Sequence, residues 1–280
     1  MSRKYQPLII IGAPRSGTNM LRNMLDLIPV IATWPCDEIN YIWRHGNVAC
    51  ETDELKVEDI KPKTRRLVKE SFDWVSRKYS SNFVLEKTCA NTLRLNFVEE
   101  LVDNALYLHI KREPFDVISS SKFRWRGKFD LEYILKKARF IPLIDLPYYS
   151  IKYLLNRIYK LYSSTGTLKS WGPRFKGIDQ ALKERSLIEV IAMQWKACND
   201  KATEGLKSIE NHRVLNISYE DLVLDTENEL KKILLFLGIN NIDESIFKQI
   251  CKYPKDNSIG KGKNSLEQWE IKKINKIIGN

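Results

Sequence analysis

Histidine is scarce in this 280-residue chain: there are three, His45, His109 and His212. None has a second ligand at metal-binding spacing, so neither a zinc site nor a Ser-His-Asp arrangement can be read from them. Cysteine is nearly as sparse. Cys36, Cys50, Cys89, Cys198 and Cys251 are odd in number, widely spaced and form no C-x-x-C pair, which argues against a disulfide framework and fits a reducing compartment. Long apolar runs are missing too. The start, MSRKYQPLIII, reaches only a few apolar residues before Pro14 and Arg15, too short for a signal peptide or a membrane span, and it reads as a first strand. Repeats, low-complexity linkers and Gly/Ser-rich boundaries are absent. One cytoplasmic domain over 1–280 is therefore expected, and 43% hydrophobic content suffices for one large core.

What is present is a repeated alternation of strand and helix signals. Apolar β-rich segments near 8–11, 30–33, 82–86, 105–111 and 213–217 are separated by helical periodicity, which predicts an α/β fold: a P-loop-like parallel sheet flanked by helices. The most informative stretch is Leu8 to Leu25, LIIIGAPRSGTNMLRNML. Leu8 to Ile11 have the composition of a strand buried on both faces, and Met20, Leu21, Met24 and Leu25 recur at helical spacing. Between them Gly12 and Gly17 allow the backbone to curl, so that loop amides and a helix N-terminus face a common point. A phosphate or sulfate fits there.

The P-loop NTPase signature, G-x-x-x-x-G-K-[ST], is nearly met and then fails. Thr18 stands where the lysine belongs and Asn19 replaces the Mg²⁺-binding hydroxyl, which removes the chemical basis for ATP hydrolysis or a small-molecule kinase. The loop offers Arg15 instead, a permanently charged fork, with the Ser16 and Thr18 hydroxyls beside it. A second strand-to-helix junction follows in ALYLHIKREPFDVISS, residues 105–120, where Arg112, Asp116 and Ser120 are spaced at +4 and +8. Pro114 suits the first helical position, and Asp116 then falls in the first turn, where a carboxylate is favoured by the dipole and can orient an arginine.

Together these two stretches resemble the donor-binding motifs of sulfotransferases that use 3′-phosphoadenosine 5′-phosphosulfate (PAPS). The loop is similar to P-[KR]-S-G-T-[TSN], the family's 5′-phosphosulfate loop, and the junction to R-x-P-x-D-x-x-x-S, in which the arginine and serine take the 3′-phosphate. Three further stretches match in order. VLEKTCANTLRL (84–95) resembles the E-K-T-P-x-N segment, which implies Lys87 as the active-site lysine. The Y-E-D-L turn implies Tyr219 at the adenine. IGKGKN (259–264) resembles the basic loop over the 3′-phosphate, with Lys261, Gly262 and Lys263. The resemblance implies PAPS as co-substrate, adenosine 3′,5′-bisphosphate as product, no metal, and Arg15, Lys87 and the amides of Ser16, Gly17, Thr18 and Asn19 around the transferred group. The cytosolic branch has a histidine base after K-T, where this chain has Cys89. The glycan and tyrosine branches use a glutamate after the first helix, which implies Glu38 as base, with Asp37 its neighbour. Burial near Trp34, Tyr41 and Trp43 would help by raising the pKa of Glu38.

The net charge of +11 is concentrated. Between Lys122 and Lys176 thirteen Lys or Arg face Asp130, Glu132 and Asp145, an excess of +10. That segment is also rich in aromatic and aliphatic residues, and it is expected to be a helical basic/aromatic lid insertion on the acceptor side. Such a lid suits an anionic carbohydrate or glycolipid acceptor or an anionic membrane surface; a helical pair packed on the core with a solvated basic face is the plainer alternative. His45, Trp171, Arg174 and Trp195 are further candidates for acceptor contact, and His109 is expected to pack within its strand. A non-catalytic basic nucleotide- or nucleic-acid-binding protein is the competing function, and the R-x-P-x-D-x-x-x-S spacing argues against nucleic acid as partner.

Overall fold

The computed structural model describes residues 5–125, 137–162, 170–254 and 259–279. Five strands, β1 (Gln6–Ile11), β2 (Ile31–Thr33), β3 (Phe83–Lys87), β4 (Leu106–Lys111) and β5 (Val214–Ser218), form a sheet in the order β2-β3-β1-β4-β5. Every pairing is parallel, with Ile10 opposite Lys87, Ile11 opposite His109 and Lys111 opposite Ser218. The expected α/β architecture is thus observed, and each expected strand lies within two residues of its place.

Leu8, Ile9, Ile10 and Ile11 are at most 1% exposed because both faces of β1 are covered. Ile9 and Ile11 enter one layer with Trp34, Phe72, Phe97 and Tyr107, while Leu8 and Ile10 enter the other with Leu21, Leu108, Leu230 and Ile233. The strand period of two sorts adjacent residues onto opposite layers. A third cluster joins the helix Leu187–Leu206 to the C-terminal edge of the sheet: Ile188, Val190 and Ile191 pack with Ala13, Leu93, Phe115 and Ile118, which belong to the segments after β1, β3 and β4.

Parallel strands put all their carboxyl ends on one edge, where ligands of open α/β sheets bind. Here that edge receives the loop 12–17 after β1, the Glu38 segment after β2, the turn after Lys87, the Arg112 junction after β4 and the Tyr219 turn after β5. Of the expected lid, the described part comprises the end of helix Pro114–Trp125, residues 137–145, helix Leu146–Tyr162 and residues 170–176; the rest of 122–176 lies outside the described residues.

Candidate active site

The loop after β1 delivers helix α1 (Thr18–Leu25) with its N-terminus facing the sheet edge. Gly17 caps it in the left-handed region at φ +90°, with no side chain to bond the first-turn amides. Only glycine fits here. A Cβ at Gly17 would stand 2.3 Å from Cδ2 of Tyr219. The Ser16 amide, expected to face the anion, instead closes a turn onto the Ala13 carbonyl at 3.1 Å. Its hydroxyl is what remains: Ser16 is 1% exposed and Oγ has no hydrogen-bond partner among the described residues. A buried hydroxyl at a helix N-terminus without a partner is an unpaid desolvation cost that an anionic ligand would relieve.

Arg15 also has a left-handed φ of +71°, uncommon for a side chain of this size, and this directs it toward the second motif. Its Nε donates to Ser120 Oγ at 2.9 Å. Arg112 reaches back, donating to the Arg15 carbonyl at 3.3 Å. Burial, and after it the like charges of Arg124 and Arg112, lowers the Arg15 pKa. The charges of Arg124 and Arg112 thus repel that of Arg15, and an incoming polyanion would offset the repulsion. Arg15 thus links the loop after β1 to the Arg112 and Ser120 group.

Helix α2 (Pro114–Trp125) starts at Pro114 as expected, and Glu113 accepts from the Asp116 amide at 2.9 Å. Asp116 does more than orient Arg112, which it meets at 3.4 Å. Its Oδ2 accepts from the Gly260 amide at 2.8 Å and its Oδ1 from the Gly262 amide at 2.6 Å, so one buried carboxylate holds the basic loop 259–264 against the helix start. Gly262 is pressed so close that a Cβ would sit 2.3 Å from the Phe115 carbonyl carbon. Lys261 and Lys263 remain exposed, with Lys263 Nζ 4.8 Å from the Phe115 ring centroid. Asp116→Asn is expected to cost about 1–3 kcal/mol, because an amide cannot accept at both positions and leaves a buried N–H facing a donor. Urea denaturation measures this; an unchanged midpoint would remove the clamp.

Tyr219 is held by its neighbours. It is 5% exposed, packed on Gly17, with the Arg112 guanidinium 4.2 Å from its ring centroid. It acts as a platform for Arg112. The neighbouring Glu220 accepts from the Glu113 amide at 3.0 Å, so the turn after β5 positions the junction after β4.

At the other end of the edge, Lys87 Nζ donates to Glu38 Oε1 at 2.8 Å. The Lys87 side chain is 1% exposed and that of Glu38 25%, so the carboxylate is the more open of the pair. The Cys89 amide also donates to Oε1, at 3.3 Å, and Thr88 Oγ1 accepts from the Ile39 amide at 3.2 Å, which fastens the Glu38 segment to the strand end. The Cys89 side chain is a further hydrogen-bond partner of the Glu38 carboxylate. Burial acts to raise the Glu38 pKa, as expected, but the charges of Lys87 and then Lys137 outweigh it and hold the carboxyl below the usual carboxylate range. Glu86 behind them is fully buried, and burial lifts it to about 7 despite bonds from Thr88 and Asn91.

Most of the remaining candidates are held by contacts within the protein. Burial pushes the Cys89 thiol strongly upward, so it stays protonated beside Thr18 Oγ1, 3.6 Å away. His109 is 2% exposed, bonded to Asn216 Oδ1 at 2.9 Å, and burial lowers it to about 4. His45 is buried against Asp145 Oδ2 at 2.6 Å and fastens residues 137–145 to the body. Arg174 is taken by Glu51, Ser170 and Asp179, Trp195 packs in the third core cluster, and His212 is exposed in a turn before β5. Sequence reasoning missed Lys137, which pairs with Asp37 at 3.1 Å and acts on Glu38; nothing in its spacing marks it.

An anion cradle, linked arginines and a Lys-Glu pair on one edge of a parallel sheet define a nucleotide-handling α/β protein. A model of the sulfotransferase domain matches residues 6–277, and the chain belongs to the sulfotransferase family. It is a sulfotransferase, of a family that uses PAPS and hydroxyl-bearing acceptors. Similar solved structures include the sulfotransferase domain from the curacin biosynthetic pathway, at 18% identity over 95% of this chain and 84% of that one, with a TM-score of 0.52. Sulfotransferase STF1 from Mycobacterium tuberculosis matches at 10% identity over 99% and 77%, with a TM-score of 0.53. Mouse sulfotransferase SULT7A1, complexed with PAP, matches at 15% over 99% and 84%, with a TM-score of 0.50. At these identities the likeness is one of fold. A search of curated proteins finds no match.

Proposed function

We propose that this chain transfers the sulfuryl group of PAPS to a hydroxyl of a carbohydrate or glycolipid, with Glu38 as the base. The observation that carries this is the chain of contacts from Arg112 to the Arg15 backbone and from the Arg15 side chain to Ser120, on the same sheet edge as the Lys87–Glu38 pair. The unpartnered Ser16 hydroxyl and the mutually repelling guanidiniums suit a ligand with several anionic oxygens. When bound, PAPS supplies the sulfuryl group and leaves as adenosine 3′,5′-bisphosphate.

The chain's own residues divide the work. Arg112, Ser120 and Arg15, with Lys261, Gly262 and Lys263 closing from the loop that Asp116 holds, take the 3′-phosphate. Ser16 Oγ and the amides of Gly17, Thr18 and Asn19 take the 5′-phosphosulfate. Lys87 neutralises charge developing on the leaving phosphate, and the same ammonium pairs with Glu38. As its charge is drawn to the leaving group, the hold on Glu38 weakens and the carboxylate gains basicity when a proton must be taken. Oε1 is occupied, so Oε2 accepts the proton of the acceptor hydroxyl. Lys137, Tyr41 and Tyr149, whose rings meet edge to face at 4.5 Å, give the acceptor side a cationic and aromatic character suited to a sugar. Five free thiols are in keeping with a reducing compartment.

The test is calorimetric titration with adenosine 3′,5′-bisphosphate, AMP and ATP at two salt concentrations. Binding that requires the 3′-phosphate, and that weakens about 10- to 100-fold in Arg112→Ala toward the AMP value, is the expected result. Equal, weak, salt-sensitive binding of all three nucleotides would overturn the donor assignment.

A further inference from the structure

Helix α3 (Leu146–Tyr162) carries an unusual outer face. Ile151, Leu154, Leu155 and Ile158 are 60%, 58%, 56% and 41% exposed, at the i, i+3, i+4, i+7 spacing of a single stripe. Just before the helix, Leu143 and Ile144 are 85% and 77% exposed. Six large aliphatic side chains therefore share one short region, whereas Leu224 and Leu235 are exposed singly elsewhere, as on any surface.

The opposite face of the helix is committed to the protein. Tyr149 packs on Tyr41, Asn156 donates to the Ser170 carbonyl at 3.3 Å, and Asp145 at the helix start is buried on His45. The apolar stripe is thus what a packed amphipathic helix leaves outside. Charge indicates its partner. Arg139 and Lys152 are exposed on this stretch, and the one acidic residue of 137–162, Asp145, is the buried partner of His45. A second copy of the chain would bring like charge to like. No helix among the described residues is long and apolar enough to cross a membrane.

We propose that this stripe docks the protein on an anionic lipid bilayer, with the aliphatic side chains entering the interfacial zone and the flanking cations meeting lipid phosphates. The contact does not depend on which residues bind the donor. Its consequence is positional: Tyr149 lies against Tyr41, in the segment that carries Glu38, so the docked face is one helix away from the candidate base.

Co-sedimentation of the whole chain with phosphatidylcholine vesicles, and with phosphatidylcholine–phosphatidylglycerol vesicles in a two-to-one ratio, tests this. Wild-type protein is expected to bind the mixed vesicles, to release as salt rises, and to bind pure phosphatidylcholine at least about 10-fold more weakly. The double variant Leu154→Gln/Leu155→Gln is expected to lose about 10-fold or more of that binding while keeping its circular dichroism and its adenosine 3′,5′-bisphosphate affinity. Arg139→Glu, at an exposed cation, is expected to weaken only the anionic preference. No vesicle binding, binding indifferent to the double variant, equal binding to neutral vesicles, or a dimer abolished by the double variant would each overturn the proposal.

Discussion

Glu38→Gln is expected to slow sulfuryl transfer by about 10²- to 10⁴-fold with adenosine 3′,5′-bisphosphate affinity unchanged. Glutamine keeps the shape of the side chain, and its carbonyl can still accept from Lys87 Nζ and the Cys89 amide, the two partners that fix Oε1. What it loses is the outward oxygen as a proton acceptor. A structural role alone would disturb nucleotide affinity and turnover together, because Lys87 is buried in the same contact; a role as base separates them. Retained turnover would transfer the assignment to Asp37, which lies beside Glu38 and pairs with Lys137. His109 and Cys89 are poor reserves, the first sealed in its strand against Asn216 and the second a thiol kept protonated by burial.

The parts of the site legible in the sequence are those fixed by backbone and by short spacing. The LIII run could only be a strand covered on both faces, Gly12 and Gly17 bounded a turn, and Pro114 marked a helix start, so their positions followed from local physics. Side-chain direction did not. The left-handed φ at Arg15 turns its guanidinium toward Ser120, 105 residues away, and no periodicity encodes that. The packing of Tyr219 on Gly17 and under Arg112 had no signal in the sequence either, because it exists only where β5 lies beside β4. Asp116 was legible as a first-turn carboxylate, but its hold on Gly260 and Gly262 spans 144 and 146 residues. The direction of the Glu38 shift depended on a competition whose two sides have different sources. Burial could be anticipated from the surrounding tryptophans, while the opposing charge of Lys87 came from a strand end 49 residues on.

Lys87→Met is expected to reduce kcat by about 10²- to 10³-fold and, more tellingly, to change the pH profile. In the parent protein Lys87 is the largest influence holding Glu38 below the usual carboxylate range, so Glu38 stays deprotonated and contributes no acid limb near neutral pH. Removing the ammonium deletes that influence and leaves burial, which favours the protonated form, opposed chiefly by Lys137. The pKa of Glu38 must then rise. Because the working form is the carboxylate, activity falls as pH drops through that raised pKa, and an acid limb that the parent lacks should enter the profile from below. Lys137→Met is expected to move the limb in the same direction by less, since its charge ranks behind that of Lys87. If Lys87→Met lowers kcat without moving the acid limb, Lys87 serves the leaving group alone and Glu38 is not the group whose proton state limits the reaction.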